Sequence, residues 1–191
     1  MTGFEGLDHF RRGNDREALE LLHKYPGWHF IDVLRLFATL HSDAYAAERE
    51  DLLTSKGTND RNGPDPWAIY IMRRASGRKR QADEGMRAYL RSGDMLQPNL
   101  ALWEGYYRSD EPDREMQLIR AMNGSFGQLG RAYYEIGIRH LGEGNRPEAR
   151  TWLIKAAAHS DPDGPIMSWS IALVERMQLQ PNWPKSIPAR K

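Results

Sequence analysis

Apolar residues along this chain recur every three or four positions, the spacing that lines one face of an α-helix. Tyr133, Ile136, His140 and Leu141 fall at i, i+3, i+7 and i+8, and Ile166, Trp169, Leu173, Val174 and Met177 nearly repeat that rhythm. Broader stripes run through Ile31, Val33, Leu34, Leu36, Phe37 and Leu40, through Trp67, Ile69, Tyr70, Ile71 and Met72, and through Leu100, Leu102, Trp103, Tyr106 and Tyr107. Leu19, Leu21 and Leu22 cluster after Asn14-Asp15. The period-two alternation of β-branched residues that marks a half-buried strand does not persist anywhere. The pattern predicts an all-α chain.

Polar residues punctuate it. Breaks are predicted at Gly13-Asn14, Ser42-Asp43, Ser76-Gly77, Ser109-Asp110 and Gly144-Asn145, where Gly, Ser, Asn and Asp end one helix or cap the next. Asn14 with Glu17, and Asn145 with Glu148, have the spacing of a capping box. Pro112 and Pro147 follow breaks, where a missing N–H does no harm. From Asn14 to Asp43 is 29 residues, to Gly77 a further 34, to Asp110 a further 33 and to Asn145 a further 35. A turn about every 34 residues is the period of a helix–turn–helix repeat. Breaks between hairpins are predicted at Tyr25-Pro26-Gly27, Lys56–Pro66, Pro98-Asn99, Asn123-Gly124 and Asp161–Pro165. The 56–66 stretch has no apolar anchor and is predicted as a surface loop. Gly124, Gly127 and Gly130 are expected to form a flexible lead-in to the fifth hairpin. Pro181, Pro184 and Pro188 exclude a helix beyond Gln180; Trp183 is the residue placed to tack that tail to the last helix.

The hairpin from Ala132 to Ser160 resembles a tetratricopeptide repeat. Tyr133 stands at the Trp position, Ile136 at the Leu position and Gly137 at the Gly; His140 replaces the Tyr, Ala149 matches the Ala, Leu153 replaces the Phe, and Pro162 lies about where the Pro is expected. The stretch from Ala149 through Trp152 to Lys155-Ala156-Ala157 is also similar to Sel-type repeats. Gly6 precedes Ala18 by 12 residues, as Gly137 precedes Ala149; His9 and His140 follow their glycines by three, and Leu22 and Leu153 follow their alanines by four. Small residues at such positions let two helices approach closely. The middle of the chain matches less well: Ala47 and Ala82 suit the small position on second helices, but Arg35 and Tyr70 face them, and in the fourth hairpin Gly105 would face Gln117. The resemblance implies a right-handed solenoid of about five antiparallel helix hairpins plus a C-terminal capping helix over residues 1–178, with a Pro-rich basic tail over 179–191. It further implies a concave face lined by Trp67, Ile71 and Arg74 in the third hairpin, and by Arg131, Tyr134, Ile138 and Leu141 in the fifth. Tyr134 and Ile138 take the places where a basic clamp for acidic chaperone tails needs Lys or Asn, so that partner class is not expected.

Composition narrows the chemistry. A charged fraction of 28%, a mean hydropathy of −0.72 and 40% hydrophobic residues fit an elongated fold rich in surface. The net charge of +1 is far from the basic excess of a general nucleic-acid binder. With no cysteine, disulfides and thiolate chemistry are excluded. That composition, and an N-terminus without a basic start and apolar core, leads to an expected cytoplasmic location. No apolar run is long enough to span a membrane. Arg outnumbers Lys 21 to 6, which fits a GC-rich bacterial source.

The six histidines form no H-x3-H or H-E-x-x-H pattern, and there is no nucleophile elbow, P-loop or dinucleotide fingerprint. No catalytic residue, metal ligand or cofactor is expected. Arg73, Arg74, Arg78, Lys79 and Arg80 form a basic cluster at one turn, partly neutralised by Asp83 and Glu84. It offers a contact for phosphate or an acidic surface. The expected function is a non-enzymatic protein–protein interaction module that holds a partner protein or peptide in the solenoid groove. The alternatives are a nucleic-acid or acidic-surface binder working through Arg73–Arg80, and an enzyme with a site assembled from dispersed residues.

Overall fold

A computed structural model describes residues 3–22, 69–70, 73–74, 78–91, 100–108, 111–124, 126–162, 164–184, 187 and 189. Among them, every regular element is a helix: α1 Gly3–Arg12, α2 Asp15–Leu22, α3 Lys79–Arg91, α4 Leu100–Arg108, α5 Arg114–Met122, α6 Phe126–Gly142, α7 Arg146–Ala158 and α8 Pro165–Leu179. Ile69, Tyr70, Arg73 and Arg74 are also helical. From α3 onward each helix packs on the next, and α8 also touches α6. The all-α expectation holds for the described residues.

Burial follows the helical period. In α3 the buried residues are Ala82, Met86, Tyr89 and Leu90; in α7 they are Ala149, Trp152, Leu153 and Ala156. Each set spans a single stripe, which is what an amphipathic helix needs to bury one face and solvate the other. Removing a Leu- or Met-sized side chain from water contributes roughly 1.5–3 kcal/mol, so these stripes decide which way each helix turns.

The turn joining α6 to α7 shows how the local sequence sets a hairpin. Gly144 has φ +79°, a left-handed value that favours glycine. Its N–H donates to the Leu141 carbonyl at 3.1 Å, and the Asn145 N–H donates to the His140 carbonyl at 2.9 Å. The α1–α2 turn repeats this 131 positions earlier. Gly13 has φ +86°, its N–H donates to Phe10 O at 3.1 Å, and the Asn14 N–H donates to His9 O at 3.0 Å. Even the side chains match: Asn145 Nδ2 lies 3.3 Å from His140 Nδ1, and Asn14 Nδ2 lies 3.5 Å from His9 Nδ1. The capping-box expectation is corrected by this geometry. The asparagine side chains turn back to the histidine of the preceding helix; Asn145 makes no side-chain cap bond to α7. Glu17 instead accepts from its own backbone N–H, which holds its carboxyl below the ordinary range.

α6 and α7 are antiparallel and very close. A Cβ built on Gly137 would sit 2.8 Å from Leu153 Cγ and 3.2 Å from Leu153 N. One built on Gly130 would collide with Ser160 Oγ and stand 2.5 Å from the His159 carbonyl oxygen. The glycine-rich stretch is therefore no flexible lead-in: α6 begins at Phe126 and Gly130 is a second crossing point, seven residues before Gly137 on the same face. Between the two glycines Tyr133 stacks on Trp152, with ring centroids 5.7 Å apart. On the other flank Tyr134 meets Trp169 of α8 at 5.9 Å. Gly105, by contrast, is exposed and has nothing within 4 Å, so it marks no crossing.

The chain ends meet. α1 packs against α8, although the two are separated by most of the sequence. Trp183, 1% exposed, sets its ring on edge against Phe10 of α1 at 5.7 Å, with Arg176 of α8 over it at 5.5 Å, so the tail is held to α1 as well as to the last helix. Arg146 gathers that tail by donating to the carbonyls of Trp183 (2.9 Å), Asn182 (3.1 Å), Pro184 (2.8 Å) and Ile187 (2.6 Å).

Glycine substitutions separate these roles. Gly137→Leu and Gly130→Ala should each destabilise by about 1–3 kcal/mol, because backbone or a fixed branch point must move. Gly127→Ala, with open space around it, should be neutral or stabilise by about 0.5–1 kcal/mol through helix propensity. Urea unfolding midpoints at neutral pH check all three.

Candidate functional site

The densest polar chemistry among the described residues is a buried ionic cluster where the Tyr70–Arg74 segment, α3, α4 and α6 converge. Arg74 Nη1 donates to Asp83 Oδ1 at 3.0 Å, and Arg74 Nη2 donates to Glu143 Oε1. Arg139 Nε donates to the same Glu143 oxygen at 3.3 Å, and Arg139 Nη1 donates to the Tyr106 carbonyl at 3.1 Å. The Arg74 and Arg139 side chains are 4% and 3% exposed, so both cations depend on these partners. Three phenol rings line the cluster. Arg74 lies over Tyr70 at 5.7 Å and Arg139 over Tyr106 at 5.2 Å. Tyr107 is edge-on to both Tyr70 (5.1 Å) and Tyr106 (5.0 Å), and its hydroxyl donates to Glu135 Oε2 at 3.2 Å. His140 Nε2 lies 2.8 Å from Glu115 Oε1, with the ring turned off the line a hydrogen bond needs. It connects α6 to α5.

Electrostatics follow from burial and these neighbours. Burial alone would push the Glu143 carboxyl up; Arg74 and Arg139 overcome this and hold it below the ordinary carboxylate range. Burial pushes the phenols of Tyr70, Tyr106 and Tyr107 well above the usual value, so they stay neutral and protonated. For Arg139, burial opposes the charge, but Glu143 and Asp83 raise its affinity for the proton. Two cations, Arg74 and Arg139, are balanced by two carboxylates, Glu143 and Asp83. Such a network of two cations and two carboxylates, bonded to one another, fixes the register of the helices that contribute to it.

The expected groove residues are distributed otherwise than a groove requires. Trp67 and Ile71 lie outside the described residues. Arg74 is in the ionic cluster. Tyr134, Ile138 and Leu141 are 4%, 1% and 0% exposed and belong to the core formed with α7 and α8. Arg131 is half-buried, over the Trp103 ring at 5.9 Å and with Nε 4.0 Å from Glu135 Oε1. The basic cluster is split in the same way. Arg73 and Arg74 are 6% and 5% exposed and turn inward, Arg73 lying against Gly85 of α3. Burial, and then Arg78 nearby, lowers the Arg73 pKa. Arg78 is half-buried, while Lys79 and Arg80 point outward at the start of α3, Arg80 with Nε 3.6 Å from Glu84. A run of like charges in sequence thus divides between interior and surface.

Sequence reasoning missed two groups. One is the Glu135–Arg139–Glu143 row, which runs from α6 into the turn after it, whose i, i+4 spacing lay in plain view and whose burial did not. The other is the joint between the chain ends. There Arg11 makes a two-pronged contact with Glu175, with Nη2–Oε1 at 2.7 Å. Arg176, 1% exposed, donates to Asp15 Oδ2 at 2.8 Å and to the Phe10 carbonyl at 2.6 Å, between the Phe10 and Trp183 rings. Among the described residues no group of His, Asp and Glu is arranged to hold a metal ion, and no helix is long and apolar enough to cross a membrane.

No family model matches the chain, and neither a curated protein nor a solved structure does. What can be said of this protein as a class is that its described part is all-helical.

The Glu143 contribution gives a pH test. Its folded carboxyl loses its proton at lower pH than the unfolded one, so the stability it adds is present above the ordinary carboxylate range and is lost as pH falls through and below it. Glu143→Gln should cost about 3 kcal/mol at neutral pH, since it strips two buried cations of a shared anion. It should also flatten the fall in unfolding midpoint between about pH 6 and about pH 3. Chemical denaturation across that range checks both.

Proposed function

We propose that the chain is a tetratricopeptide-like helical-repeat protein, a right-handed stack of about five hairpins closed by a further helix, and that it binds another protein or peptide without chemistry of its own. The observation that carries this reading is the recurrence of one hairpin turn. A left-handed Gly, an Asn bonded back to a His, and a buried small residue on each helix (Gly6 and Ala18, Gly137 and Ala149) appear in both α1–α2 and α6–α7. Repeated hairpins of that kind stack on their neighbours and leave long exposed flanks, which is the surface such arrays use for recognition. The cysteine-free composition accords with a cytoplasmic setting.

The guest-facing surface lies on exposed side chains rather than on the buried Tyr134, Ile138 and Leu141. Leu102 on α4 and Met116 on α5, 37% and 46% exposed on neighbouring helices, are the apolar positions best placed to make contact. The split of the basic cluster favours a protein guest over a nucleic acid. Arg73 and Arg74 are committed inside, and two or three outward cations give little phosphate affinity at physiological salt.

Affinity capture from the source cell tests the reading. The wild-type chain should retain a discrete set of proteins, and a Leu102→Glu, Met116→Glu double variant should retain several-fold less at an unchanged melting temperature. Retention of nothing beyond what an unrelated helical protein retains would overturn the proposal. Retention of nucleic acid, lost steeply as salt rises, would replace it with the basic-cluster reading.

A further inference from the structure

The joint between the chain ends contains two ion pairs as well as apolar contact. The first hairpin brings Arg11 and Asp15; α8 brings Glu175 and Arg176; the pairs are crossed, cation to anion and anion to cation. Apolar contact accompanies them: Phe10 and Ala18 of the first hairpin belong to the same core as α8, and the Phe10 ring stands edge-on to Trp183. On one side of it, the hairpin turn is closed by its own backbone bonds at Gly13 and Asn14. On the other, α6, α7 and α8 share a core that includes Leu153, Ala156, Trp169, Ala172 and Leu173. Each side therefore has internal bonding that does not depend on the joint.

Arg176 is the sensitive member. Its guanidinium is buried, and a buried cation that loses one partner is far more costly than an exposed one. Docking the first hairpin supplies both of its oxygen partners, Asp15 and the Phe10 carbonyl. Undocking returns Arg176 to water. Arg11 and Glu175 are about a third exposed, so their pair is weakened by salt and adds direction more than strength.

We propose that this crossed pair is a latch: the first hairpin is held on α8 by Arg11–Glu175 and Arg176–Asp15, and it comes away as a unit when Asp15 is neutralised or Glu175 is reversed in charge, while α6, α7 and α8 stay folded. The latch is a conformational switch between a chain with joined ends and one in which the Phe10 and Trp183 faces are free.

The chain contains no cysteine, so a pair of spin labels at Arg12→Cys and Gln178→Cys, both on exposed positions of the helices that meet, reports the joint alone. The labelled full-length chain should give one short, narrow distance at neutral pH. Asp15→Asn and Glu175→Arg should each raise a longer-distance population by about tenfold or more, with the far-ultraviolet helical signal retained. The Arg11→Glu, Glu175→Arg exchange should restore the short distance, which mere disruption of the fold would not. A single short distance in every variant, or loss of helical signal in step with the distance change, would overturn the latch.

Discussion

The contact on which the described structure depends is the passage of α6 over α7 with almost nothing between them. Gly130 and Gly137 lie seven residues apart, two helical turns, so both face α7. Their missing side chains let the backbone of one helix rest on His159–Ser160 and on Leu153 of the other. At this separation Tyr133 can stack on Trp152 while Tyr134, on the adjoining face, reaches Trp169 of α8. A bulkier residue at either glycine would widen the pair and carry both aromatic contacts with it. The hairpin is thus a template on which α8 is placed, and α8 in turn receives the first hairpin.

Around that hairpin, buried charge has the task of fixing register. Apolar stripes tell a helix which face to bury, but they tolerate sliding; an arginine buried against a carboxylate does not. Arg139 on α6 and Glu143 in the turn after it reach Tyr106 of α4 and Arg74, and Arg74 reaches Asp83 of α3. One network therefore ties four parts of the chain that are far apart in sequence. The neutral phenols of Tyr70 and Tyr106 supply polarisable faces for the two cations without adding charge. At the other side of the molecule Arg176 has the same role, seated between Phe10 and Trp183 and joining the first hairpin to α8.

A row of hairpins that touched only their sequence neighbours would leave its two ends apart. Here α1 lies on α8, and the tail crosses nearby under the four carbonyl contacts of Arg146. Position 146 in the α6–α7 hairpin corresponds to position 15 in the α1–α2 hairpin, each directly after a Gly-Asn turn. One carries the arginine that collects the tail and the other the aspartate that receives Arg176. The repeated hairpin has been given opposite charges at equivalent sites, and the two ends of the chain are secured by that difference.

The sequence by itself determined the local features. Helical periodicity, the breaks at Gly13-Asn14 and Gly144-Asn145, the breaks at Asn123-Gly124 and Asp161–Pro165, and the close approach at Gly137 each depend on residues within a few turns of one another. Propensity, turn chemistry and side-chain size act over that range. It did not determine which polar residues go inside. Arg73, Arg74 and Arg139 look like solvated cations in a one-dimensional pattern; Arg74 and Arg139 are buried on partners both near in sequence and tens of residues away. Nor could it tell that Tyr134, Ile138 and Leu141 would be covered by neighbouring helices, since burial is a property of what packs on a face and not of the face. The meeting of α1 with α8 was likewise decided in three dimensions. Two pairs of opposite charges more than 150 residues apart carry no signal in sequence until the helices between them have brought the ends together.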